Sequence, residues 1–92
     1  MPYITSEKRI VLEESIAAVI NTLRELESDD PLNNFEGNLN YLITTILMRS
    51  YADSYRDVND AIGVLECIKL EYYRKRAAPY EDLKELLNGK VL

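Results

Sequence analysis

The chain contains no histidine and no tryptophan, and only one cysteine, three glycines and three prolines among 92 residues. Without histidine there is no Ser-His or Cys-His nucleophilic pair, no His-ligated metal and none of the usual switches near neutral pH. The single cysteine, Cys67, excludes an intrachain disulfide and gives secretion no support. Lying within an apolar helical pattern, it reads as an inert, buried thiol. So few glycines and prolines leave little room for turn-rich β architecture. No apolar run approaches the roughly 20 residues needed to cross a bilayer. The opening residues, M-P-Y-I-T-S-E-K-R, lack the basic start and apolar run of a signal peptide. A cytoplasmic protein without membrane contact is the expectation.

What is present is apolar enough to fold and mildly acidic. Apolar residues make up 47% and charged ones 29%, a globular rather than a disordered mixture. The length suits one domain, residues 1–92. A chain this short hides only about 60–65% of its unfolded surface, so association would add stability that its own core lacks. A net charge of −5 argues against non-specific nucleic-acid binding, which needs Lys and Arg to neutralise phosphates. The basic residues do gather at Lys69, Arg74, Lys75 and Arg76, which keeps an anion site open.

The pattern predicts an all-α fold, a small bundle of three main helices plus a short C-terminal helix. Thr5 and Ser6 are N-cap candidates, with Glu7 in the first turn. Leu12, Ile16, Val19, Leu23 and Leu26 alternate steps of four and three, an a/d-like seam suited to packing along another helix. Ser28-Asp29-Asp30-Pro31 should end that helix. A loop to Gly37 follows, in which Phe35, the one phenylalanine, is expected to plug an end of the core. Gly37-Asn38 should open the second helix with Asn38 as its cap. Its core face is Leu39, Leu42, Ile43, Ile46 and Leu47, with Asn40, Tyr41, Thr44 and Met48 on other sides.

Ser54 with Asp57 three residues on fits a capping box and starts the third helix, antiparallel to the second because the connection is short. Val58, Ala61, Ile62, Leu65, Ile68 and Tyr72 share one face at 100° per residue. Gly63, Val64, Cys67 and Leu70 form a smaller apolar strip, which suits a helix covered on two sides. Gly63 costs about 1 kcal/mol against alanine in a helix interior, and a close approach by another helix or a ligand would account for it. Ala77-Ala78-Pro79 should end the long helix. Pro79 then opens a fourth, with Leu83, Leu86 and Leu87 as its contact face and Asn88-Gly89 as its stop.

Three groups of residues are candidates for chemistry. Asp57-Val58-Asn59-Asp60 is a weak version of the acid pairs of the all-α nucleoside triphosphate pyrophosphohydrolases of the MazG kind. Its partner is missing, because Glu13 and Glu14 have Ile16 and Ala17 three residues on. No metal site or cofactor is therefore expected. A polar stripe, Asn59, Glu66 and Tyr73 at intervals of seven, lies beside Arg74, and with Asn40 it could hold a polar or anionic ligand such as a nucleotide. The stripe could equally be a network that fixes helix register. Seven tyrosines add apolar area with a polar tip, which suits interfaces. The expected contact surface is Tyr41, Thr44, Met48, Gly63, Cys67 and Leu70, and a symmetric dimer is the default arrangement.

Several pieces together carry a resemblance: Gly37-Asn38-Leu39-Asn40-Tyr41-Leu42-Ile43-Thr44, Gly63-Val64-Leu65-Glu66, Lys69-Leu70-Glu71-Tyr72-Tyr73-Arg74, Pro79-Tyr80-Glu81-Asp82 and Asn88-Gly89. The set resembles a family of short uncharacterised proteins from prokaryotic and phage genomes, over roughly Gly37 to Val91 and without the first helix. Lys75-Arg76 and Lys90 depart from that family's usual Arg-Arg and Asn-Gly-Asp. The resemblance implies a source and no activity. The expectation is a non-enzymatic, self-associating interaction or ligand-binding protein. A metal-dependent nucleotide hydrolase and a regulator that binds a host protein are the alternatives.

Overall fold

Helix α1 (Ser6–Asp29) starts where a hydroxyl precedes it. The Thr5 carbonyl accepts the Arg9 N–H at 3.0 Å, and its hydroxyl sits 3.5 Å from the Lys8 amide, the long limit of a cap contact. Glu7 occupies the first turn, where the helix dipole favours a carboxylate. The structure, a computed structural model, describes residues 2–29, 32 and 34–91. Asp30 and Pro31 of the expected helix stop therefore lie outside the described residues.

Helix α2 (Phe35–Ser50) begins earlier than its pattern predicts. Asn34, not Asn38, is the capping residue, and its carbonyl accepts the Asn38 N–H at 3.2 Å. Phe35 consequently belongs to the first helical turn and not to a loop. The reason for the shift is steric. A Cβ on Gly37 would stand 2.6 Å from the Asn34 side-chain amide, so the missing side chain at 37 makes room for Asn34 over the turn. The sequence marks the same glycine as a helix opener, whereas its use is one turn further in.

These two helices pack on each other as one compact unit, Met1–Ala52. Leu23 is 7% exposed and is the one buried hydrophobic among the described residues. On α2, Leu39, Leu42 and Leu47 are half-buried and Asn40, Tyr41, Thr44 and Met48 exposed, as predicted, whereas Ile43 and Ile46 of the expected core face are exposed because the one helix packed in this unit covers only part of that face. The α1 seam exists, but it is only partly covered: Leu12, Ile16, Ile20 and Leu26 remain about half-exposed.

In the second unit, Asp53–Leu92, the described residues form a single run of helix from Tyr55 to Asn88. Ser54 caps α3 (Tyr55–Tyr72) by accepting the Asp57 N–H at 3.2 Å, as the spacing predicts. The expected break at Ala77-Ala78-Pro79 does not occur. A π-turn, Tyr73–Ala77, leads directly into α4 (Ala78–Asn88), which makes one joined helix of 34 residues. Proline has no N–H for the carbonyl four residues back, and its ring would press on that carbonyl. Widening the preceding turn removes the conflict without ending the helix. The Ala78 N–H accordingly reaches back five residues to the Tyr73 carbonyl. The C-terminal stop falls where expected: Gly89 takes a φ of +92°, and its N–H closes on the Glu85 carbonyl at 2.9 Å.

Candidate functional site

The π-turn concentrates the chain's basic and aromatic side chains. Tyr73, Arg74, Lys75 and Arg76 occupy four consecutive positions of it, and each is exposed. π-turns often coincide with functional sites, although here Pro79 supplies a structural cause. Within the cluster, Arg74 is engaged. Its Nη2 donates to Glu71 Oε1 at 2.7 Å, and that carboxylate's side chain is 24% exposed. Charge-assisted bonds of this length are the stronger kind. Glu66 is held one turn back, its Oε1 3.1 Å from Lys69 Nζ, with both groups largely in solvent. An exposed pair of that sort contributes only about 0.3–0.5 kcal/mol.

These pairings separate residues that the heptad spacing groups together. Glu66 pairs with Lys69 and Arg74 with Glu71, each partner three residues away along the same helix. Asn59 lies on α3, and Tyr73 opens the π-turn. Asn40 belongs to the first unit, where its Oδ1 accepts the Thr44 hydroxyl at 3.2 Å across one turn of α2. The expected contact residues divide in the same way: Tyr41, Thr44 and Met48 in the first unit, Gly63, Cys67 and Leu70 in the second. Gly63 has nothing within 4 Å of the place a Cβ would occupy. The expectation that Cys67 is buried is not met, since the thiol is exposed. The apolar pattern around it is real, but no element of its own unit lies over that strip.

A groove lies within the helical hairpin. Ala18, Val19, Thr22, Leu23 and Leu26 of α1 face Asn38, Tyr41 and Leu42 of α2 around a groove of about 380 Å³. Its wall is apolar apart from the Asn38 amide, the Tyr41 hydroxyl and Thr22, whose Oγ1 already donates to the Ala18 carbonyl at 3.0 Å. In the same hairpin, the Arg24 guanidinium covers the Phe35 ring. The sequence marks the leucines of this region as a seam and misses the groove. Ala18 was its one available signal, a small residue beside the seam that leaves space where a larger one would fill it.

Among the described residues, no group of three or more His, Cys, Asp or Glu side chains is placed to hold a metal ion. No helix is long and apolar enough to cross a membrane, again among the described residues. What the exposed surface offers is apolar area in stripes, a basic turn and an apolar groove.

A family model for a domain of unknown function, DUF6899, matches residues 1–91. The chain belongs to the DUF6899 family. The match takes in α1, whereas the sequence resemblance spans only Gly37 to Val91. No curated protein and no solved structure matches the chain.

Proposed function

We propose that this DUF6899 protein works by association and not by catalysis: it is a small helical module that assembles with copies of itself and offers the assembled surface to its ligand. One observation carries the proposal. Within each helical unit large apolar side chains stay open: Ile10, Ile20 and Met48 in Met1–Ala52, and Ile62, Leu70 and Leu86 in Asp53–Leu92, are each at least half-exposed. Apolar patches on soluble monomers rarely exceed a few hundred Å², so faces of this extent call for a partner.

A polar or anionic ligand, such as a nucleotide, at Asn40, Asn59, Glu66, Tyr73 and Arg74 has weaker support. The side chains of Glu66 and Arg74 are already held by Lys69 and Glu71. An origin in prokaryotic and phage genomes rests on the sequence resemblance, and a cytoplasmic setting on composition.

Light scattering after size exclusion, together with native mass spectrometry of gently purified protein, tests the assembly. The expected mass is a multiple of 10.6 kDa, with an unfolding midpoint that rises with protein concentration. A chain of 10.6 kDa that unfolds cooperatively at a concentration-independent midpoint overturns the proposal.

A further inference from the structure

The π-turn changes which side chains stand in line on the long helix. Tyr72, Arg76, Tyr80 and Lys84 follow one another at steps of four, ring and cation in alternation. In an unbroken α-helix each step of four drifts by about 40°, so these side chains would spread over about 120°. Here the Ala78 N–H reaches back five residues to the Tyr73 carbonyl, and that one extra residue takes back about 100°. The spread that remains is about 20°. One helical turn, about 6 Å, separates each ring from the next cation.

Arg76 is the centre of this line. The residues three and four positions from it are Tyr72, Tyr73, Pro79 and Tyr80, so none of its neighbours along the helix is a carboxylate. Among the described residues it makes no ion pair and lies over no ring. A guanidinium is almost never enclosed without an anion beside it, so this stretch keeps access to water or to a bound anion. Arg74 differs, since Glu71 holds it at 2.7 Å. Lys84 stands over the next ring, its Nζ 5.5 Å from the Tyr80 centroid. Tyr72 and Tyr80 are each more than half exposed.

We propose that this line binds a free nucleotide, its base stacked on a tyrosine ring and its phosphates held by Arg76 and Lys84. This rests on the ligand-binding half of the proposed function and gives the ligand a place. Guanidinium and ammonium groups supply the charge-assisted bonds that phosphate oxygens accept. A tyrosine face takes any flat base, for which inorganic phosphate has no use. In a nucleotide the base and the phosphates lie on either side of one ribose, so a ring and a cation one helical turn apart meet both.

Charge favours the free nucleotide over a nucleic-acid strand. A strand that followed the helix would run among Glu71, Glu81, Asp82 and Glu85, on a chain of net charge −5. A compact anion at Arg76 touches none of those positions on its own line.

Isothermal titration of the full-length protein with ADP at low ionic strength tests the site. ADP should bind at least about tenfold more tightly than pyrophosphate, because only the nucleotide uses a ring. Arg76→Gln should weaken ADP at least about tenfold. Lys75→Gln removes the same charge about a quarter-turn away and should leave ADP within about twofold. Pro79→Ala should weaken ADP too, since a tightened turn spreads the line while the helix gains stability. Equal losses in the two charge variants would reduce the effect to diffuse attraction. Equal affinity for pyrophosphate would remove the stacked base, and tighter binding of a short single-stranded RNA would replace the free nucleotide by a strand. Each of these results overturns the proposal, as does ADP that fails to bind or that binds Pro79→Ala unchanged. Native mass spectrometry of the same samples keeps the two readings apart. A multimer without ADP overturns the site alone, and a monomer with ADP overturns the assembly alone.

Discussion

The guanidinium carbon of Arg24 lies 4.7 Å from the centroid of the Phe35 ring, one side chain near the end of α1 and the other in the first residue of α2. The contact closes the hairpin at its loop end, above Leu23. A cation over an aromatic face at an exposed site contributes about 0.5–1 kcal/mol. Arg24→Met keeps the length of the side chain and removes the charge, and should lower stability by about that amount in urea denaturation. Arg24 also pairs with Glu27 at 3.0 Å, so Glu27→Gln serves as the control. Equal losses in the two variants would assign the effect to the ion pair and not to the ring.

Gly63 stands in the middle of α3 with nothing within 4 Å of its missing Cβ. Helix propensity then dominates, and Gly63→Ala should raise stability by about 1 kcal/mol. The assembly mass should not change, because Gly63 lies off the seam of Val58, Leu65 and Tyr72. A fall in stability or in mass would mean that another backbone packs against this glycine.

Pro79 widens the turn that precedes it. Pro79→Ala supplies an N–H for the Lys75 carbonyl and removes the ring, so the turn should tighten to α-helix, with a gain of up to about 3 kcal/mol. Hydrogen exchange reads this directly, as a protected amide at position 79. The same change would swing the α4 leucines about 100° around the axis. A less stable variant would show that the wide turn itself is required.

Cys67 is exposed on the long helix. Its thiol should react stoichiometrically with a disulfide reagent in native buffer, without denaturant. Reaction only after unfolding would mean that the assembly covers the strip of Gly63, Cys67 and Leu70. The contact surface would then include that strip.

The fold class was legible because apolar spacing and caps agree. Ser54 and Asp57 mark the start of α3, Gly89 marks the end of α4, and Leu39, Leu42 and Leu47 mark the inner face of α2. Two boundaries were not legible, and both turn on a residue with two possible uses. Gly37 reads as a helix opener, but it makes room for the Asn34 side chain inside a helix that has already begun. Pro79 reads as a breaker after Ala77-Ala78, yet a turn with one more residue absorbs it. The polar stripe was drawn from a period of seven, and that period says nothing of nearer neighbours. Glu71 and Lys69, three residues from Arg74 and Glu66, are the partners in the structure. The hairpin groove went unseen because small residues such as Ala18 announce a space only once the opposing helix is in place.

Leu23, alone buried among the described hydrophobics, has a meaning for how such a protein is kept in a cell. If nearly all burial waits on a second chain, supply decides the folded fraction as much as sequence does. Freshly made chains at low abundance would present leucines and open helix ends to proteases. A modest rise in synthesis would then convert short-lived chains into long-lived assemblies, giving production of this protein a threshold.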